Sequence, residues 1–275
     1  MQTAVLGLLA ETPIHPGTGR STGVVDLPVA REAATDYPVI VGSSLKGALR
    51  DMARVVDGID EEDVFGTEST AGALLVSDGR LLLLPVRSLT GAYKWVTCPH
   101  LIERYARDLK RAGLGPLPSL PTVGVHEALA ADEENLFLEE REFRVVGKPD
   151  ASLIDAIAPL IAHDATRRRL ASQVVVLNDN DFEWFARYGL PIQARNKLDQ
   201  QTKTSVNIWY EENLPPDTLM YVLLTERRAG ALGVLGRLFP PERPYLQVGG
   251  NETVGHGWFA VTVRRNGTAE RGGQN

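Results

Sequence analysis

The sequence predicts an α+β fold, a sheet with helices packed on it and long insertions between its strands. Three observations carry this reading. Apolar runs of strand length recur at residues 3–10, 73–76, 80–86, 174–177, 219–224 and 261–263. Segments with helical apolar spacing lie between them, at intervals that suit a sandwich with insertions better than a doubly wound parallel sheet. The composition, 43% hydrophobic and 23% charged in 275 residues, is that of a globular chain with a substantial core.

Residues 3–10 are almost wholly apolar and run into a Gly-, Pro- and Thr-rich stretch at 12–23, so a strand feeds a long loop. Gly42-Ser43-Ser44 precedes Leu45, Leu49, Met52, Ala53 and Val56, which share one helix face; serine is the expected cap and Gly58 the stop. The runs 73–76 and 80–86 flank Ser77-Asp78-Gly79, a turn sequence, and are expected to pair with each other. A second helix is expected over 99–112. The three prolines and two glycines of 113–121 mark a connector, and an acidic segment follows at 124–142. A helix over 151–161, limited by Pro159, leads to the strand 174–177. In 187–206, Arg187, Arg195, Lys197 and Lys203 face one acid, Asp199, without amphipathic period, which suggests a protruding arm. A strand at 219–224, a helix over 229–239 despite Gly230, Gly233 and Gly236, and a closing strand at 261–263 complete the order, with a frayed tail after Arg264.

Charge and composition exclude several classes. The chain carries 29 Lys and Arg against 35 Asp and Glu, a net charge of −6, so it has no overall basic signature of a nucleic-acid binder. Residues 123–142 hold seven acids (Glu127, Asp132, Glu133, Glu134, Glu139, Glu140, Glu142) and one base, Arg141, a balance equal to that of the whole chain. The remainder is formally neutral and can gather its bases on one surface. A single cysteine, Cys98, rules out an intrachain disulfide framework and a multi-cysteine zinc site, and points to a reducing compartment. No run approaches the roughly 18 apolar residues of a membrane helix, so the expectation is a cytoplasmic protein without a membrane partner.

Among glycine motifs, Gly17 to Gly23 misses the dinucleotide spacing and Gly42 to Gly47 lacks the ending of a phosphate-binding P-loop. His15, His100, His126, His163 and His256 are scattered without metal-ligand spacing. Three features remain. Gly249-Gly250-Asn251 to Gly257 can bring backbone amides to a phosphate, or simply turn a hairpin. The helix start with Ser43, Ser44, Lys46 and Arg50 can hold an anion, or be an ordinary cap with a solvated basic face. His15 and Asp26 sit in the first long loop with Arg20 and Arg31, as active residues do on rigid scaffolds, although turns and caps use the same residue types.

In combination these segments resemble the RAMP superfamily of CRISPR proteins, and more narrowly the backbone subunit of the type III-B (Cmr) RNA-targeting effector complex. The resemblance rests on His15-Pro16-Gly17, Val25-Asp26-Leu27-Pro28 with Arg31-Glu32, Pro38-Val39-Ile40, and Gly42-Ser43-Ser44-Leu45-Lys46-Gly47-Ala48-Leu49-Arg50. Further marks are Phe65-Gly66, Ala71-Gly72, Ser77-Asp78, Leu83 to Ser88, Trp95-Val96-Thr97-Cys98-Pro99, Asn196 to Thr204, and Leu246 to Gly255, in a shared order spanning about residues 3 to 263. It implies a ferredoxin-like, RRM-like palm built from about 1–112 and 207–263, an insertion at about 113–186 and a thumb at about 187–206, in one domain over 1–263 with a flexible tail at 264–275. It further implies guide CRISPR RNA, single-stranded target RNA, copies of the same chain in a helical filament and other Cmr subunits as partners. The target would be cut at regular intervals by attack of its own 2′-OH, in antiviral defence. Asp26 would be the cleavage residue and the ligand of a weakly bound Mg²⁺ or other divalent cation, with His15 second and Glu226 third as catalytic candidates. RNA would be held by Arg20, Ser43, Ser44, Lys46, Arg50, Arg195, Lys197, Lys203, Gly249, Gly250 and Asn251. The alternatives are a non-catalytic architectural subunit, the type III-A equivalent, and a stand-alone guide-processing ribonuclease.

Overall fold

Strands Thr3–Ala10 and Leu219–Glu226 are buried along their whole length, and their alternating side chains feed two different cores. Leu6, Leu8, Met220, Val222 and Leu224 face one; Val5, Leu9, Leu219, Tyr221 and Leu223 face the other. Continuous apolar runs are the sequence mark of a sheet covered on both faces. Helix Gly42–Arg54 closes the first core with Leu45, Leu49 and Ala53, and helices Pro99–Ala112 and Ala151–Ile157 close the second with Ile102, Tyr105, Leu109, Leu153 and Ile157. These relations come from a computed structural model, which describes residues 1–89, 91–131 and 135–266.

Four strands form the centre of the sheet in spatial order Trp258–Arg265, Thr3–Ala10, Leu219–Glu226 and Gly79–Ser88, each antiparallel to its neighbour. Beyond Gly79–Ser88 the sheet continues through Gly91–Thr97, Val174–Leu177, Glu127–Leu129, Arg141–Gly147 and Leu136–Leu138. Ile192–Leu198 and Ser205–Glu212 form a separate two-stranded hairpin. No helix among the described residues is long and apolar enough to cross a membrane.

Several expectations need correction. Leu74–Val76 and Gly79–Ser88 do not pair with each other; both lie along Leu219–Glu226 as one interrupted strand, bridged where the Ser77 amide donates to the Leu223 carbonyl and Ser77 Oγ accepts the Leu223 amide. Ser77-Asp78-Gly79 is therefore an interruption with a second use. Asp78 Oδ1 accepts the Gly42 amide at 2.7 Å, so an acid from the sheet caps the helix expected to be serine-capped. The acidic segment contributes to three strands, Glu127–Leu129, Leu136–Leu138 and Arg141–Gly147, with Glu127 paired to Arg144 and Glu139 to Arg87, while Asp132, Glu133 and Glu134 lie outside the described residues. The arm begins later than expected, because Arg187 ends the helix Asp179–Tyr188 and bonds Asp36 at 2.7 Å. Arg264 and Arg265 belong to the last strand, and the tail at 267–275 lies outside the described residues.

Candidate functional site

The long first loop is held against the hairpin by a ladder of short contacts. Leu27 donates to the Tyr210 carbonyl at 3.0 Å, Glu212 donates to the Leu27 carbonyl at 3.0 Å, and Asp26 Oδ2 accepts the Tyr210 amide at 2.8 Å. Glu212, 7% exposed, spreads its carboxylate between the Val29 amide and Arg31, whose guanidinium also donates to the carbonyls of Asp36 and Ala186. The Gly-rich loop closes from the other side. A Cβ on Gly249 would stand 2.6 Å from the His15 carbonyl oxygen, which accepts the Gly250 amide at 3.1 Å. Glycine is required there by close approach and by a φ of +95°.

Two adjoining clefts result. One, of about 510 Å³, is lined by Arg20, Asp26, Lys197, Asn207, Trp209, Glu211 and Asn251. The other, of about 570 Å³, has His15, Ser44, Gly249 and Gly250 among its walls, and Leu27 lines both. Asp26 is half-buried, Arg20 and Lys197 are exposed, and neither cation has a carboxylate partner among the described residues. The first cleft thus sets the Asp26 carboxylate, with Oδ1 left over from its backbone bond, beside two unneutralised cations, while its other acid, Glu211, is engaged by Arg195 and Asn251. That arrangement can take a proton and hold a phosphate.

Alternation along the hairpin decides which side chains enter this cleft. Arg195 and Lys197 stand opposite Trp209 and Asn207 on one face, whereas Val206, Ile208 and Tyr210 alternate with them and are about half exposed, Ile208 also reaching the cleft wall. Arg195 reaches Glu211 at 3.5 Å and His256 Nδ1 at 3.4 Å, and Asn251 donates to the same Glu211 carboxylate. Glu211, 1% exposed, is a buried acid in the Asp26 cleft that sequence reasoning missed. Its signal was the strand alternation 205–212, which the polar look of 187–206 concealed. Asp199 caps the hairpin turn, and the bonds from Thr202 and Gln201 hold its carboxyl below the ordinary range. Lys203 sits in that turn with φ +56°.

His256 is held below the ordinary imidazole range by burial and then by the Arg195 guanidinium. Neutral Nδ1 can accept the arginine hydrogen bond; protonated, it cannot. A depressed folded value makes this contribution complete above the ordinary imidazole pKa and lost as pH falls through the depressed one. In an NMR titration the His256 midpoint is expected below that of free histidine and higher in Arg195→Gln. A midpoint at or above the free value would refute the contact.

The other candidates separate. His15 Nδ1 lies 2.8 Å from the Glu212 carbonyl, so it carries the ring proton, and Nε2 lies under Gly17, whose added Cβ would stand 2.5 Å away. The ring, 8% exposed, lines the second cleft and ties three segments together. Glu226 lies at the far end of its strand beside Gln2; it is buried, not the surface partner of Arg227 or Arg228, and accepts the Gly230 amide at 3.0 Å. Arg228 pairs with Asp63 instead. On the helix, Ser44 shares a groove-lining face with Gly47, Ala48 and Asp51, while Lys46 and Arg50 project from the opposite side and Arg50 approaches Glu62 at 3.6 Å. Ser43 is exposed, and the helix start is already occupied by Asp78.

No three His, Cys, Asp or Glu side chains among the described residues converge as metal ligands. One available carboxylate oxygen on Asp26 suits an ion completed by other ligands, not a closed protein cage.

The sequence profile of the RAMP superfamily matches residues 8–260. The CRISPR system Cmr endoribonuclease Cmr4 of Pyrococcus furiosus is 35% identical over 288 aligned residues, covering 96% of each chain. The crystal structure of oligomeric Cmr4 from that organism superposes with a TM-score of 0.75 at 28% identity, over 96% of this chain and 98% of that one. A chain from the cryo-EM structure of the type III-B Cmr-beta complex bound to cognate target RNA has the same fold, with a TM-score of 0.76 at 20% identity over 96% and 97%.

Proposed function

The chain belongs to the RAMP superfamily, and from that premise we propose that it is the backbone subunit of a cytoplasmic type III-B CRISPR ribonucleoprotein that cleaves target RNA complementary to its guide. The observation that carries this reading is the Asp26 cleft, in a chain 35% identical to a Cmr endoribonuclease over nearly its full length. Asp26 Oδ1 takes the proton of the target 2′-OH. The 2′-oxygen bonds to phosphorus as the P–O5′ bond breaks, and the 5′-oxygen takes a proton from solvent. Arg20 and Lys197 neutralise the charge on the phosphorane. The products carry a 2′,3′-cyclic phosphate and a 5′-OH. Mg²⁺ or another divalent cation would be held by Asp26 with water and RNA oxygens, adding charge neutralisation at the phosphate.

The central strand order supports a ferredoxin-like palm. Taken in chain order, its four strands lie 4-1-3-2, all antiparallel, with a helix after the first and a short helix after the third. The palm takes in about 1–112 and 213–263, the insertion about 113–191, and the hairpin of 192–212 is the thumb. Guide-RNA backbone lies in the second cleft, against Ser44 and the Gly249-Gly250 turn, with Asn251, Arg195 and Lys203 on the thumb side. Repeated copies along the guide share the affinity, which reconciles RNA binding with the acidic net charge.

The test is a target with 2′-deoxy sugars at the cut nucleotides, offered to the assembled complex. It is expected to bind and remain intact. Cleavage at the rate of the all-ribose target would overturn the mechanism.

A further inference from the structure

Strand Ser205–Glu212 ends on two consecutive acids, whose side chains take opposite sides of the hairpin. Glu212 holds the first loop through Arg31 and the Val29 amide. Glu211 turns into the Asp26 cleft and is 1% exposed, although burying a carboxylate costs free energy and strand pairing needs no acid there. Its ion pair offsets little of that cost, because the Arg195 guanidinium stands at 3.5 Å, too far for a strong charge-assisted bond. What the carboxylate does is join segments. Arg195 comes from the first strand of the hairpin, Asn251 from the Gly-rich loop, and Leu27 of the first loop bridges Glu211 along the backbone. Asn251 is the pivot of its own loop: it lies in the left-handed region at φ +65°, and its carbonyl accepts the amides of Val254 and His256 at 3.1 and 3.2 Å. One buried acid thus sets the hairpin against the turn that lines the second cleft.

The arginine shows what is being placed. Its Nη2 reaches Glu211 and His256 Nδ1, while Nη1 and Nε have no partner among the described residues, and the side chain is 26% exposed. Held at one end of its guanidinium, it offers the other on the hairpin face that carries Lys197 into the Asp26 cleft. An anchored guanidinium gives a phosphate one orientation; a freely rotating one does not. We propose that Glu211 is a positioning residue of the cleavage site, acting through Arg195: it anchors the guanidinium and the Asn251 turn so that the target phosphate is held in line for attack at Asp26. This rests on the cleavage reading above and assigns Glu211 itself no contact with RNA. Misplacement on the order of 1 Å at a reacting centre costs up to about 100-fold in rate.

A double-mutant cycle in the assembled ribonucleoprotein tests it, read as single-turnover cleavage at saturating target together with target affinity by mobility shift. Glu211→Gln keeps the length of the side chain and an oxygen for Asn251 but removes the charge facing Arg195. It is expected to slow cleavage about 10- to 100-fold with target affinity unchanged. Arg195→Gln should slow it by a similar factor, and the double variant by no more than the worse of the two. Losses that multiply in the double variant would make the two residues independent and overturn the proposal. Cleavage by Glu211→Gln at the unaltered rate would also overturn it, as would a loss confined to target affinity, which is what a purely structural role produces. If Glu211→Gln does not assemble, Arg195→Gln decides: slow cleavage at unchanged affinity supports the proposal, and cleavage at the unaltered rate overturns it. Failure of the cleavage reading is separately visible, since the unaltered complex would then cut a target with a 2′-deoxy sugar at the cut nucleotide.

Discussion

Asp26→Asn is expected to lower target cleavage about 10²- to 10⁴-fold, the range of a lost general base, while leaving assembly and RNA binding unchanged. Separation of these effects follows from the geometry. Asp26 has two jobs: Oδ2 accepts the Tyr210 amide, and Oδ1 is left for chemistry in the cleft that the residue lines. The asparagine amide keeps an oxygen for the first and lacks the charge and basicity for the second. The loop also holds without the carboxylate, through the Leu27–Tyr210 and Glu212–Leu27 backbone bonds. Single-turnover cleavage mapped at nucleotide resolution, alongside a mobility-shift assay with uncut target, is the measurement. Wild-type cleavage by the variant would place catalysis elsewhere and make this chain an architectural subunit. Asp26→Ala should be weaker still in holding the loop, because it also leaves the Tyr210 amide without its acceptor.

Glu212→Ala is expected to cost about 3–5 kcal/mol of folding stability, the loss typical when one member of a buried ion pair is removed. Arg31 and Glu212 side chains are 16% and 9% exposed, and their contact of 2.6 Å joins the first loop to the hairpin. Truncation strands the Arg31 charge and releases the Val29 amide, which Glu212 Oε2 holds at 3.0 Å. Urea unfolding should show a lower midpoint with an unchanged slope. Cleavage should fall too, since the segment that carries Asp26 loses its strut. The double change Arg31→Met with Glu212→Met should recover much of the stability, because no charge is then left unpaired. A loss below about 1 kcal/mol in the single variant would mean that the pair is not what holds the loop.

Legibility from sequence varied with the kind of signal. The helix Pro99–Ala112 and the strand Val174–Leu177 have the bounds read from the sequence, because each has a clean apolar pattern and, for the helix, a proline start and a Gly113 stop in the left-handed region. The helix Asp164–Gln173 went unread because only Thr166 and Leu170 are buried along it, too few to show a period. The turn sequence Ser77-Asp78-Gly79 misled because its local chemistry suits a hairpin, while both flanking strands find better partners across Leu219–Glu226. The helix carrying Ser43 to Arg50 was placed correctly, but its residues split. Rotation of 100° per residue turns Lys46 and Arg50 away from the groove that Ser44 lines.

The sequence by itself determined the apolar, strand-forming character of the central segments and the family resemblance, because these follow from local apolar runs and from short motifs in order. Only the tertiary structure decided that Asp26 and His15 open onto different clefts, that Glu226 lies at the wrong end of its strand, and that Glu211 and Trp209 enter the Asp26 cleft. The reason is pairing register. The contact between residues 26–27 and 210–212, and the two-residue alternation of the hairpin, join positions about 180 residues apart in sequence. No local pattern encodes which face of a strand meets a distant loop; that is fixed by the packing of the whole sheet.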